Sequence, residues 1–145
     1  MPTLLFTQFS IASLMVVLCV VIHGIGLFGL NRAMRSEANL ERLKQLNPLS
    51  ARGTLFTLTV VVAIVMLHGI EIWLYAFTYL AVGAVHTFEE ALYFSTISYS
   101  TVGYSDAHID PDWRLLGAFE SIIGVILLGW STAFFVRTLT RIDPH

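Results

Sequence analysis

Charged residues are missing from long stretches of this chain. None of Lys, Arg, Asp or Glu occurs from Met1 to Asn31 or from Gly53 to Ile70, and Glu120 is the only charge between Leu115 and Val136. Apolar runs of about 20 residues match the hydrocarbon thickness of a bilayer. The pattern predicts three membrane-crossing helices, over residues 6–30, 55–80 and 114–139. A fourth apolar stretch, FEEALYFSTIS over residues 88–98, is too short to cross, because eleven residues rise only ~16 Å as a helix. Its start is legible. Thr87-Phe-Glu-Glu90 has the form of a capping box, with the Thr87 hydroxyl receiving a backbone N–H and Glu90 reaching back. A polar segment, SYSTVGYSD over residues 98–106, follows directly. Non-helical backbone at membrane depth is tolerated only where protein buries it or where it lines a watery cavity. The pattern therefore predicts an all-α membrane protein in which a half-span helix and its trailing loop re-enter the bilayer.

Composition agrees, with 56% hydrophobic and 12% charged residues among 145. The placement of charge adds direction. Residues 31–53 carry Arg32, Arg35, Arg42, Lys44 and Arg52 against Glu37 and Glu41, while residues 81–113 carry five acids and no Lys or Arg. Short loops rich in Lys and Arg stay cytoplasmic. The connector and the C-terminus are thus expected inside, and the N-terminus outside. A net charge of −2 with no basic stripe gives no reason to expect a nucleic-acid partner. Cys19 sits alone in an apolar run and reads as a small buried hydrophobe. The first segment lacks the basic start of a signal peptide and is kept as a span.

The half-span helix would end near the membrane centre, where its carbonyls present a partial negative charge that favours a cation. A cation entering a narrow pore loses its water, and convergent backbone carbonyls must replace that shell. Turning neighbouring carbonyls to one axis requires alternating backbone conformations, some with positive φ, which glycine adopts freely. One loop per chain means that a closed ring needs about four copies.

At this point the chain resembles the pore domain of the potassium-channel family, with an outer helix, pore helix, TVGY-type filter and inner helix. It is most similar to small bacterial ion-channel proteins. The resemblance rests on His68-Gly-Ile-Glu-Ile-Trp73, Ala91–Ser95, Thr101-Val-Gly-Tyr104, Trp113-Arg-Leu-Leu and Leu128-Gly-Trp-Ser-Thr-Ala133. It implies an extra N-terminal helix (1–30), a basic cytoplasmic connector (31–53) and a pore module (54–140) with outer helix 55–80, pore helix 88–98, filter 101–105 and inner helix 114–139. It further implies a homotetramer in the bacterial inner membrane that conducts potassium passively. The filter positions fall on Thr101, Val102, Gly103, Tyr104 and Ser105, with K+ held at the first four and Asp106 at the mouth. Val102 and Tyr104 are expected to turn their side chains toward the short helix. Ser105 departs from the family pattern, which has glycine there. If that position keeps positive φ, serine costs roughly 1–2 kcal/mol per subunit. This departure leaves open a nonselective cation channel or a non-conducting membrane subunit.

Several other residues raise specific expectations. Gly124 is either an inner-helix hinge or a small residue that permits close packing, and Gly129 is a second hinge candidate. Thr132, in register with Val125 and Leu128, is the candidate cavity-lining residue. His68, Glu71 and Glu120 are candidate pore supports, since an ionised carboxylate in a span costs about 2.5–3.5 kcal/mol and must pair or line water. His68 and Glu71 alone are too few for zinc. Asp106, His108, Asp110 and Asp112 would concentrate cations outside the filter, although Asp110-Pro111 also reads as a helix start. The GxGxxG of Gly24–Gly29 lies inside a span and fits helix packing, not a dinucleotide site. His23 beside it is expected to be buried and hydrogen-bonded. Leu40, Leu43 and Leu46 suggest an amphipathic helix on the membrane surface, ended by Asn47-Pro48. No span carries the regular Arg or Lys of a voltage sensor, and too little chain follows Leu139 for a cytoplasmic sensing domain. Gating would then fall to the filter, the inner helices, lipid, protons or a regulatory subunit. No nucleophile–base set suggests an enzyme, and no cofactor is expected beyond the permeant potassium ions.

Overall fold

The computed structural model describes residues 2–35, 50–103, 105–107 and 109–140. Its elements are α1 (Pro2–Met34), α2 (Ala51–Ala81), α3 (Phe88–Tyr99), a 3-10 turn (Pro111–Trp113) and α4 (Arg114–Leu139). Among the described residues α1, α2 and α4 are long and apolar enough to cross a membrane. In hydrocarbon the backbone must satisfy its own hydrogen bonds, so even the Val-rich start of α2 is helical. Large exposed apolar side chains, among them Leu5, Phe6, Leu55 and Val65, suit helices that face lipid. The expected amphipathic helix at Leu40, Leu43 and Leu46 lies outside the described residues.

Caps mark where the helices begin and end. Ser50 starts α2 by accepting from the Gly53 N–H at 3.1 Å. That adds a turn to the expected 55–80. At its other end Gly83 takes φ +72°, its N–H bonds Leu80 O at 3.1 Å, and the Ala84 N–H bonds Tyr79 O at 2.9 Å. This is a Schellman stop, and it needs a residue that tolerates left-handed backbone. Thr87 caps α3, accepting from the Glu90 N–H at 3.2 Å. Asp110 accepts from the Asp112 N–H at 2.8 Å and opens the 3-10 turn that leads into α4. The Asp110 N–H in turn bonds Ala84 O at 2.9 Å, so the loop after residue 105 is tied back to the end of α2.

The half-span helix α3 sits between α2 and α4. Its contact with α4 uses two glycines seven residues apart. A Cβ at Gly117 would meet the Phe94 ring at 2.9 Å, and one at Gly124 would meet the Tyr99 carbonyl oxygen at 2.1 Å. Tyr99, the last residue of α3, also bonds His68 and Glu71 near the middle of α2. The end of α3 therefore lies halfway along the spans it packs against. α4 runs unbroken through Gly124, and the close approach alone accounts for a glycine there. α1 packs on α4 and α2. Phe9 meets Phe119 edge-on at 5.6 Å, and Gly26 leaves room for Leu67, whose Cδ1 would lie 2.6 Å from a Cβ. The GxGxxG stretch is thus partly a packing seam.

Gly124→Ala should lower stability by about 1–3 kcal/mol, because the added methyl runs into main chain that cannot step aside. Gly69→Ala, on α2 with nothing within 4 Å of a Cβ, should stay within about 0.5 kcal/mol of the parent. Thermal unfolding of the purified protein compares the two.

Candidate functional site

Thr101–Gly103 leave the end of α3 through a tight turn. The Thr101 N–H bonds Ser98 O at 2.9 Å and the Gly103 N–H bonds Ile97 O at 2.9 Å. These bonds satisfy two of the carbonyls that a helix C-terminus leaves open. The turn is made with positive φ at two alternate positions, Thr101 at 63° and Gly103 at 54°. Gly103 accepts this freely, whereas a β-branched threonine is strained by roughly 1–2 kcal/mol. Val102 is 66% exposed in the single chain. Tyr104 and His108 lie outside the described residues.

Ser105 does something glycine cannot. Its hydroxyl accepts from the Ala107 N–H at 3.1 Å and so shapes the turn that follows. Asp106 is not the free mouth charge that its position suggested. Its carboxylate pairs with the Arg114 Nε at 3.1 Å, with both side chains more than half exposed. The reason is local, since Arg114 opens α4 just beyond the short loop. Such an exposed pair is worth at most about 1 kcal/mol, but it neutralises much of the field expected from Asp106.

Behind this segment stand two buried polar clusters, and each contains a carboxyl group with 0% exposure. In the first, Glu120 of α4 is 2.5 Å from the Tyr79 hydroxyl and 2.5 Å from Ser95 Oγ, and Ser95 Oγ is also 2.8 Å from Ile72 O. Three contacts require three hydrogens, and Tyr79 and Ser95 supply two. The Ser95 hydroxyl has one hydrogen for both the Glu120 carboxyl and Ile72 O, and a proton on Glu120 would supply the third. The arrangement is then complete and uncharged, as hydrocarbon demands.

In the second cluster, Glu71 accepts from the Tyr99 hydroxyl and contacts His23 Nδ1 at 2.9 Å. His68 bonds the Tyr99 oxygen through Nδ1 at 2.8 Å and Ser131 Oγ through Nε2 at 3.0 Å, while His23 Nε2 meets the same Ser131 oxygen at 3.0 Å. His68, Glu71 and Glu120 are thus brought to the back of α3. His23, Ser131, Tyr99, Tyr79 and Ser95 were not expected there; the available signal was a polar side chain inside a span. His23, His68 and Glu71 offer atoms within 4.8 Å of one another. Those atoms are already joined through hydrogen bonds, which is the geometry of shared protons and not of ligands bared toward an ion.

On the far side of α4, Val125, Leu128 and Thr132 are exposed together. The Thr132 hydroxyl bonds Leu128 O at 2.9 Å. Among the described residues, Tyr75 carries the buried side-chain oxygen that has no partner.

A family model described as an ion channel matches residues 54–141. No curated protein and no solved structure matches the chain.

Glu120→Gln should keep the fold within about 1 kcal/mol, because an amide also offers one donor and one acceptor side. Glu120→Ala strands two hydroxyls and opens a cavity, with an expected loss of about 2–4 kcal/mol. Unfolding of the purified variants measures both.

Proposed function

The chain belongs to this ion-channel family, and we propose that it is a potassium-selective pore in which four copies pool the backbone carbonyls of Thr101, Val102, Gly103 and Tyr104 around one axis. Passive ion conduction follows from the family; potassium and the fourfold ring are the finer reading. One observation carries it. A capped helix of half-span length delivers Thr101 and Gly103, both with positive φ, to the midpoint of the spans around it. A threonine held in left-handed backbone is the kind of strain that persists where a loop's geometry serves a purpose. Alternating handedness is also what turns successive carbonyls to one side.

The partial negative charge at the end of α3 favours a desolving cation and opposes an anion. Thr101 would add its hydroxyl as the innermost ligand. The exposed face of α4 at Val125, Leu128 and Thr132 would line the cavity below, with Gly124 as an inner-helix hinge if the pore opens there. Arg32, Arg35, Arg52 and Arg137 support a connector and a C-terminus in the cytoplasm with the N-terminus outside. Membrane lipid then surrounds the assembly, and a regulatory subunit has the outer faces of the helices to bind.

A second reading, a cation channel without potassium preference, draws on Ser105. Its side-chain bond to Ala107 shapes the mouth where the family pattern has glycine. Vesicles reconstituted with the purified protein separate the two. Potassium flux well above sodium flux supports the first reading, and equal fluxes support the second. Crosslinking that stops at two subunits would remove the ring altogether. Ser105 does not take positive φ, so Ser105→Gly removes the Ala107 bond without relieving strain and should change the potassium preference by no more than about tenfold. Reversal potentials under mixed-ion gradients read this out.

A further inference from the structure

The polar cluster around Glu71 is a closed ring, and the number of hydrogens it needs leads to a conclusion about what it binds. Going round, the contacts are His23 Nδ1 to Glu71 Oε1 at 2.9 Å, Glu71 Oε2 to the Tyr99 hydroxyl, Tyr99 to His68 Nδ1 at 2.8 Å, His68 Nε2 to Ser131 Oγ at 3.0 Å, and Ser131 Oγ to His23 Nε2 at 3.0 Å. Five contacts need five hydrogens. An ionised Glu71 supplies none, and Tyr99, Ser131 and two neutral imidazoles supply one each, which makes four. In that state Ser131 has a single hydrogen for two facing imidazole lone pairs, so one edge is broken. The ring also carries one net negative charge in a buried site. A fifth hydrogen corrects both faults at once. An imidazolium donates from both nitrogens, Ser131 accepts from it and donates to the other ring, and the sum of charges becomes zero.

We propose that His23, His68, Glu71, Tyr99 and Ser131 together form a binding site for one proton, and that this proton clamps α1 to the end of the half-span helix. The five residues come from all four helices, and His23 is the one contributed by α1. Tyr99 ends α3 two residues before Thr101, and its carbonyl is wedged against Gly124. The clamp therefore ties α1 to the base of the 101–103 segment. His23 is held from its sides as well, 5.1 Å from the His68 ring and 5.5 Å from Trp130.

The neighbouring titratable groups do not supply the missing hydrogen. Cys19 lies one turn before His23 on α1, Tyr75 one turn after Glu71 on α2, and Glu120 faces the same interior from α4 with Tyr79 on it. None of them hydrogen-bonds the ring. Among the described residues Cys19 is in no disulfide, the Tyr75 hydroxyl has no hydrogen-bond partner, and Tyr79 and Glu120 are occupied with each other.

The direction of the pH effect follows from the count. The closed ring holds one proton that a separated ring releases, so alkali favours release of α1 and acid favours the clamp. Between the pH at which the separated ring gives up this proton and the pH at which the closed ring does, the ratio of clamped to released chains should fall tenfold per pH unit, the slope of a single linked proton. Glu71→Gln provides a sharp comparison. An amide donates on one side and accepts on the other, so the ring then has five hydrogens and no charge with both histidines neutral. The variant should stay clamped with no pH dependence where the parent loses stability. Glu71→Ala and His23→Ala should be loosened at every pH.

The experiment follows thermal stability of the full chain in lipid across pH for the parent and Glu71→Gln, alongside nitrogen-15 spectra of the histidines. The expected result is a one-proton slope in the parent and a flat profile in the variant. In the parent's spectra, a proton should leave His23 or His68 over the same pH range. A variant with the parent's slope, or one as unstable as Glu71→Ala, overturns the proposal. So does a parent whose His23 and His68 show no change in protonation as it loses stability. Any effect on conduction rests on the channel reading above: potassium flux should respond to alkali in the parent and not in Glu71→Gln. Absence of flux with the stability profiles intact would count against that reading alone.

Discussion

A hydroxyl, imidazole or carboxyl group at membrane depth has no water to fall back on, so each must find a partner within the protein. That requirement positions α3. Ser95 and Tyr99 are four residues apart on one face of the short helix, and each is held by a separate buried carboxyl. Ser95 meets Glu120 of α4, and Tyr99 meets Glu71 of α2. Sliding or turning α3 by a single residue would strand both side chains. The Gly117 and Gly124 contacts add a steric limit to the polar one, since both depend on the same register. The result is a helix whose end is fixed in depth and rotation, although it is too short to be anchored by spanning.

A fixed helix end permits a strained loop. Thr101 holds a backbone conformation that would relax if the chain before it were free to rotate. The hydrogen bonds from Thr101 to Ser98 and from Gly103 to Ile97 pull the segment back onto α3. On the other side, the Asp110 bond to Ala84 and the Asp106 pair with Arg114 hold the exit of the loop. The strained segment is therefore held from both ends by structure that does not share its strain.

The elements of this architecture were legible because they are local. Absence of charge marks the spans, Thr87-Phe-Glu-Glu90 marks the start of α3, and Asp110-Pro111 marks the approach to α4. Gly83 was equally local and was overlooked, its Schellman stop hidden in an apolar run. The polar clusters were only half legible. His68 and Glu71 announce each other by helical spacing, but His23 lies 48 residues from Glu71 and 108 from Ser131. Nothing in the spacing says which face of α1 turns inward. Ser131 stands next to Thr132, and spacing alone does not say that the first of these two hydroxyls turns toward His23 and His68. The pairing of Asp106 with Arg114 depends on the fold of the loop between them, which spacing along the chain does not show.

The match to the ion-channel family begins at residue 54, so α1 lies beyond it. Yet in this chain the matched part is not self-sufficient. Remove His23 and Oε1 of Glu71 loses its partner, leaving the carboxylate with Tyr99 and His68 on its other oxygen alone. Ser131 and His68 lose their shared neighbour in the same step. The polar residues of α2 and α4 thus make sense only with α1 in place. The small residues Gly24 and Gly26, which bring α1 against Trp130 and Leu67, serve that same contact. An added helix that only decorated the assembly could be apolar on every face. This one carries a histidine where it meets the second oxygen of a buried carboxylate whose first oxygen holds Tyr99, which makes α1 part of the machinery that holds the half-span helix.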